Sequence, residues 1–425
     1  MSETTSTPAL SEVNHGWRVT FAGMGINLAL GILYTWSVIS KGIPAEWGWS
    51  ESDKSWPYSV ACLVFCLIMV PAGRMQDKIG PRIVASIGGL LVGLGLLLAS
   101  FTTSLPGFIA GFGVLAGAGF GFGYASATPP AVKWFNKART GLIAGIVVSG
   151  FGLASVYAAP LAKWLMAAYS FKVMLITLGV AFLVVVVGLA QLLKPPPRGY
   201  VPAGTIAVAA PAAGTMVKKE DFLPREMLTT PQFYMLWFMY ACGAGAGLMI
   251  IAKLAAIADV QVGIALGFVL VAFLAIGNGG GRIVAGVLSD KIGRKATMFG
   301  CFVLQAALIL LLSRATAENV LGRMWVMIVV SMLIGANYGA NLSLFPSITK
   351  DYYGVKNFGV NYGLVFTAWG LGGFLLSKLA GAMYDKHQTF AIAYYGASVL
   401  LVMAAVMVFF VKPPHHHTAA LESAG

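Results

Sequence analysis

A single guanidinium interrupts a hydrophobic run in the second half of this 425-residue chain. Apolar sequence from Val262 to Leu274 leads into Ala275-Ile-Gly-Asn-Gly-Gly-Gly-Arg282, and Ile283 to Leu288 continues it. Eight residues after the arginine, Asp290 opens the polar turn Asp-Lys-Ile-Gly-Arg-Lys. At about 1.5 Å per residue, Arg282 lies roughly 12 Å inside that turn, near the middle of a hydrocarbon layer about 30 Å thick. An arginine at that depth is costly, stays protonated, and by default marks the path of an ion or a charged substrate. Its expected chemistry is to bind a small anion, because a planar guanidinium forks onto a carboxylate with a directionality that lysine lacks. Asn278 stands one turn earlier on the same helix face, where it can hold the guanidinium or accept from a substrate hydroxyl. Gly279, Gly280 and Gly281 remove side chains beside it, which opens room for a small ligand and permits a bend. The competing reading is an arginine satisfied by backbone carbonyls or by a structural carboxylate, although the flanking apolar stretch holds no Asp or Glu.

The elements that must position this group are membrane spans. The chain is 58% hydrophobic and only 10% charged, with 52 glycines. Its mean hydropathy is +0.81, which excludes an ordinary soluble protein. Twelve apolar segments are expected at about 17–40, 57–74, 83–102, 106–133, 141–166, 171–193, 231–253, 262–288, 296–313, 324–346, 358–383 and 389–411. The +13 net charge does not point to nucleic acid, since no basic patch carries interleaved exposed aromatics. Its lysines and arginines gather in alternate loops: 74–82, 133–139, 194–225 and 291–295. That asymmetry makes these loops, both termini and the linker cytoplasmic, in the inner membrane of a bacterium. The expected division is a tail at 1–16, a six-helix half at 17–193, a cytoplasmic linker at 194–230, a second half at 231–411 and a tail at 412–425.

An internal repeat supports the two halves. Gly73-Arg-Met-Gln-Asp77-Lys-Ile-Gly-Pro-Arg82 recurs at a constant offset of 213 as Gly286-Val-Leu-Ser-Asp290-Lys-Ile-Gly-Arg-Lys295. A parallel duplication of six helices suits a carrier that rocks one half against the other. The repeated loop resembles the signature loop of the major facilitator superfamily, whose fold is all-α with twelve transmembrane helices in two six-helix halves. By that resemblance Asp77, Arg82, Asp290 and Lys295 are conformational residues, the acidic group pairing with a helix end and a basic neighbour. Turn chemistry, with each Asp capping a helix, is the plainer alternative.

Within that superfamily, Gly31-Ile-Leu-Tyr-Thr-Trp36, Gly121-Phe-Gly-Tyr124, Pro231-Gln-Phe-Tyr-Met-Leu-Trp237, Asn278-Gly-Gly-Gly-Arg282, Leu344-Phe-Pro-Ser347 and Asn361-Tyr-Gly363 resemble the oxalate/formate antiporter family and its monocarboxylate-transporter relatives. The resemblance makes Arg282 the substrate arginine. It implies a cage of Tyr34, Tyr124, Tyr338 and Phe366, with Leu30 and with Leu342 where the oxalate family has an aromatic. Two departures matter. Trp369 replaces the second membrane cation of the oxalate exchanger, which suits one carboxylate on a small apolar body. Asn278 replaces the aspartate that animal relatives carry four residues before the arginine, so proton coupling lacks its usual acid there.

Asp259 is the titratable candidate for a coupling proton, although it stands roughly 30 Å up the helix from Arg282 at ideal rise. Lys163, Lys253 and Lys378 are expected to snorkel to the interface. Lys378 is also a candidate for an outer vestibule that attracts anions. Glycine-rich helix four lacks the ending of a phosphate loop and is expected to pack closely at a moving interface. The histidines at 415–417 read as a solvated or artificial tail. No metal or cofactor is implied, and no enzyme, because no nucleophile–base set or carboxylate pair lies at membrane depth. The expectation is a monomeric transporter of small monocarboxylates such as lactate or pyruvate, coupled to protons. Oxalate/formate-type anion exchange is the alternative within transport, and a transporter-like sensor the alternative outside it.

Overall fold

The computed structural model describes residues 15–135, 140–197, 200, 221–263, 265–354 and 357–414. The expected tail at 1–16, most of the linker and the histidine run therefore lie wholly or largely outside the described residues, as does the side chain of Asp77. Among the described residues, twelve helices are long and apolar enough to cross a membrane. They are α1 (Gly16–Lys41), α2 (Glu51–Gln76), α3 (Pro81–Ser100), α4 (Leu105–Val132), α5 (Leu142–Ala168), α6 (Phe171–Ala190), α7 (Pro231–Val262), α8 (Gly267–Ile292), α9 (Arg294–Ser313), α10 (Met324–Tyr353), α11 (Phe358–His387) and α12 (Ala391–Phe410). Successive spans run in alternate directions, so the ends near Arg74, Lys78, Arg82, Lys133 and Lys291 share one face, called here the basic face.

Local chemistry sets several ends away from where hydropathy alone places them. α2 starts at Glu51 rather than 57, because Ser50 Oγ accepts from the Asp53 amide while the Asp53 carboxylate accepts from the Ser50 amide. α7 runs on to Val262, where Gly263 closes it with φ +73°. That extension takes Lys253 from a helix end to a helix interior. α1 is α-helical to Leu30, tightens to a 3₁₀ turn over Gly31–Thr35, and resumes at Trp36. Tyr34 sits in the tightened turn.

The faces sort by polarity of surroundings. Leu90, Leu94 and Leu98 of α3, like Val399, Val402 and Val406 of α12, point outward and are exposed. Val84, Val92 and Leu96 of α3 point inward and are fully buried. With no aqueous alternative at that depth, outward apolar side chains satisfy lipid. α3 packs on α6 and α9 on α12 at the two flanks. Between the halves, α2 lies against α11 and α5 against α8, and the Trp36–Lys41 end of α1 meets α7. The glycines of α4 serve a different purpose from the expected one. A Cβ on Gly119 would meet the Gly88 carbonyl of α3 at 2.6 Å, and one on Gly121 the Phe65 carbonyl of α2 at 2.8 Å. They draw α4 onto its own half, away from the boundary between halves.

Candidate anion site at Arg282

The helix that carries Arg282 is held against α10 with almost no side chain between. A Cβ on Gly281 would lie 2.1 Å from the Ala336 carbonyl, and one on Gly277 1.8 Å from that of Met332. From the other side, a Cβ on Gly339 would lie 2.2 Å from the Asn278 carbonyl. Glycines four apart on both helices thus bring the backbones together and fix the rotation of α8. Ile283 and Val284 then face outward, 59% and 64% exposed, while Asn278 and Arg282 face inward at 0% and 5%. The glycines beside the arginine are accordingly packing residues. Gly281 meets α10, Gly279 meets Leu153 of α5, and Gly280 faces open space without widening a pocket.

Arg282 is only partly satisfied. Its Nε donates to Asn278 Oδ1 at 3.1 Å, and its Nη1 donates across the boundary to the Val148 carbonyl of α5 at 2.8 Å. Nη2 makes no hydrogen bond of ordinary geometry among the described residues, although the Tyr124 hydroxyl stands close to the guanidinium, and Asn278 Nδ2 makes none either. Gly152 of α5 lies beneath this pair, where an added Cβ would come within 3.3 Å of both Arg282 Nη2 and Asn278 Cγ. An unpaired buried donor is costly, and this pair of residues carries two of them.

Aromatic side chains close over the guanidinium from both halves. The Tyr34 and Tyr338 hydroxyls hydrogen-bond at 2.5 Å, joining α1 to α10, and Trp369 Nε1 of α11 donates to Tyr338 at 2.8 Å. Phe366 stacks on Trp369 with centroids 5.1 Å apart. Tyr124 packs edge-on to Phe151 and Phe65, at 5.4 and 5.5 Å. The positive charge of Arg282 acts on the phenols of Tyr34, Tyr124, Tyr338 and Tyr362. Leu30 is buried against Gly123, and Leu342 is buried one turn along α10 from Tyr338. Asn337 and Asn341 turn their amides onto carbonyls of their own helix and keep out of this network.

Phe65, Phe151, Tyr362 and Gly152 belong to the constellation, and sequence reading passed over them. The chain has 25 Phe and 52 Gly, so those types alone carry no signal. Tyr362 lies in the Asn361-Tyr-Gly363 motif noted above, which carried the resemblance without giving that tyrosine a role.

The other predicted residues lie elsewhere. Asp259 is at the face opposite the basic one, paired to Lys41 at 3.0 Å. Lys253 does not snorkel: it is 2% exposed and paired to Glu51. Lys378 turns inward too, donating to the Ser52 carbonyl at 3.1 Å and standing 4.2 Å over the Trp56 ring. Lys163 is exposed. On the basic face, Asp290 pairs with Arg294 at 2.7 Å, and Arg294 also reaches Asp351 of α10 at 3.2 Å. Arg294 therefore bridges that loop, while Lys295 approaches the Phe409 carbonyl at 3.4 Å and Arg82 lines an exposed pocket with His15, Arg18 and Lys194.

Comparison with known proteins follows the same lines. The profile of the Major Facilitator Superfamily matches residues 19–277 and 258–425. The oxalate:formate antiporter of Oxalobacter formigenes is 27% identical over 345 residues, covering 80% of this chain and 77% of that protein. Monocarboxylate transporter 13 of Bos taurus is 25% identical over 390 residues, covering 91% and 87%. An uncharacterised MFS-type transporter of Escherichia coli, YhjX, is 26% identical over 360 residues, covering 84% and 85%. Among solved structures, a bacterial homologue of the human lysosomal transporter Spinster superposes with a TM-score of 0.66 at 15% identity, covering 94% of this chain and 97% of that one, which speaks to the fold alone.

Proposed function

The chain belongs to the Major Facilitator Superfamily and is a transporter, and from that premise we propose that its cargo is a small monocarboxylate, such as lactate or pyruvate, moved by alternating access. The observation that carries this reading is a surplus of donors. Arg282 Nη2 and Asn278 Nδ2 are without acceptors among the described residues. A third donor comes from the aromatic chain. Trp369 can only donate, so Tyr338 and Tyr34 share two hydroxyl hydrogens for one mutual contact, and one O–H is left over. A carboxylate supplies two acceptor oxygens, and a hydroxyl or keto oxygen on the next carbon supplies a third. The stacked Phe366–Trp369 pair faces the body of such a ligand with apolar surface, where a second carboxylate of a dicarboxylate would find no cation. Arg282 binds the anion, Asn278 orients the guanidinium, and Tyr34, Tyr124, Leu30, Tyr338, Leu342, Phe366 and Trp369 shape the pocket.

The basic loops make their face cytoplasmic on our reading, in a bacterial inner membrane. Proton symport is the coupling we favour, with Asp259 as its carboxylate: the Lys41–Asp259 contact joins α1 to α7 and must part when the halves separate on that face. Anion exchange is the second reading, favoured by the likeness to the oxalate:formate antiporter. Uptake of labelled L-lactate into proteoliposomes, with and without an inward proton gradient, tests these together. Gradient-driven accumulation that Arg282→Lys abolishes supports symport and the arginine's role. Uptake only against preloaded internal anion supports exchange. No saturable uptake of any monocarboxylate overturns the substrate class.

A further inference from the structure

We propose that Glu51, Lys253 and Asp385 are further residues on which transport depends: they form a clasp that closes the face opposite the basic one and must release before that face can open onto Arg282. This rests on the alternating-access reading but not on the identity of the cargo. Three groups of the second half converge on the first turn of α2, in the first half. Lys253 Nζ of α7 donates to the Glu51 carbonyl at 2.9 Å and to its carboxylate at 3.0 Å. Asp385 of α11 accepts from the Glu51 and Ser52 amides at 2.9 and 2.7 Å, satisfying two donors that open every helix. Lys378 of α11 donates to the Ser52 carbonyl and, at 2.5 Å, to its hydroxyl.

The helices can approach this closely because position 381 lacks a side chain: a Cβ there would meet Ser55 Oγ at 2.2 Å and the Glu51 carbonyl at 2.6 Å. Lys54 completes the group by pairing with Glu51 at 3.0 Å. Lys253 is the member that makes this a switch. A lysine buried at 2% exposure keeps its charge only with a close counter-charge, so it is stable in two situations, clasped or hydrated. The clasp joins helices of different halves, and its loss frees the ends of α2 and α11 to part.

The thiol of Cys62 reports this. It is fully buried on α2, and a Cβ on Gly373 of α11 would lie 3.5 Å from its Sγ. With Cys66, Cys242 and Cys301 replaced by serine, the full-length protein in proteoliposomes is labelled with a membrane-impermeant maleimide from the clasp side. Glu51→Gln and Asp385→Asn should each speed Cys62 labelling about tenfold, the factor expected for a shift of about 1.4 kcal/mol toward the open state. The exchange of charges, Glu51→Lys with Lys253→Glu, should slow it again toward the parent rate. Unchanged labelling in both single variants overturns the clasp. Fast labelling that the charge exchange fails to slow also overturns it, since that outcome reports general loosening. Because no substrate is used, failure to transport lactate leaves this result standing.

Discussion

Arg282 and Lys253 are both buried cations in the contact between the halves, and they are treated in opposite ways. Lys253 meets a full carboxylate and a carbonyl, while Arg282 meets an amide oxygen and one carbonyl and keeps a whole nitrogen unpaired. Around Lys253 charges cancel within the protein. Around Arg282 stand an asparagine, a carbonyl and several phenols, none of them a charge that cancels its own. A cation that the protein neutralises itself is suited to holding two elements together. One left without its counter-charge is suited to a ligand that arrives from outside. Burial alone therefore does not separate a binding residue from a gating residue; the satisfaction of its hydrogen bonds does.

The widest separation between the two regions should come from removing each cation. Arg282→Met is expected to lower kcat/KM for lactate uptake by more than about 100-fold, since hydrogen bonds to a charged group are worth roughly 1.5–3 kcal/mol each and the ligand loses two. Lys253→Met should change the maximal rate, and KM by no more than the roughly tenfold that its shift of the equilibrium between the two open faces allows, because it does not touch the anion. Uptake kinetics on both variants decide the matter. A large KM effect at Lys253 would collapse the distinction.

Next in size is Gly152, the floor under Arg282 Nη2 and Asn278. An alanine Cβ at 3.3 Å needs the neighbours to yield by a few tenths of an ångström, whereas the branches of a valine would press further against Arg282 Nη2 and Asn278. Gly152→Ala should raise KM several-fold with little change in thermal stability, whereas Gly152→Val should raise it about tenfold or more and also lower stability, as overpacking costs about 1–3 kcal/mol. Thermal unfolding in detergent beside uptake separates the two effects. A Gly152→Val protein that binds normally would place the anion elsewhere.

A smaller change is expected from Trp369→Phe. It keeps the stack on Phe366 but deletes the indole donor that holds the Tyr338 hydroxyl to α11, so the leftover O–H of the Tyr34–Tyr338 pair is less firmly aimed. KM should then rise roughly two- to fivefold, up to the value of a neutral hydrogen bond of about 0.5–1 kcal/mol. Trp369→Lys sharpens the same point: dicarboxylate uptake should appear if a second cation at this position is what oxalate-type cargo requires.

The fold was largely legible before any coordinates. Runs of apolar residues, alternating basic loops and the repeat at 213 residues carry twelve spans, because hydrocarbon forbids most alternatives. Arg282 stood out for the same reason, as a charge with no place in lipid. What sequence could not show was which partner each polar group takes. Lys253 and Lys378 look like snorkelling residues when helix ends are drawn by hydropathy, and become clasp members once α7 reaches Val262 and α2 begins at Glu51. Gly279 to Gly281 read as empty space beside the arginine, yet Gly281 is occupied by the backbone of α10. Phe65, Phe151 and Gly152 come to the site through tertiary packing, which the local pattern of a span does not encode.

Asp259 gives the finest test, because it belongs to neither pattern. Its carboxylate is 47% exposed and its partner Lys41 is 34% exposed, so solvent screens the pair and its loss should cost no more than about 1 kcal/mol of stability. Asp259→Asn should also leave lactate KM unchanged, as the pair sits at the face and not beside Arg282. A carboxylate that takes a proton each time the pair parts would nonetheless reveal itself in energetics. Asparagine cannot titrate, so the variant should keep exchange of external for internal lactate at near the parent rate while losing accumulation driven by a proton gradient. Both are measured in the same proteoliposomes. If accumulation survives, the coupling proton is carried by another group and the Lys41–Asp259 pair is a weak surface tie between the halves. If exchange fails together with accumulation, the pair belongs with Lys253 in the machinery that opens and closes the face.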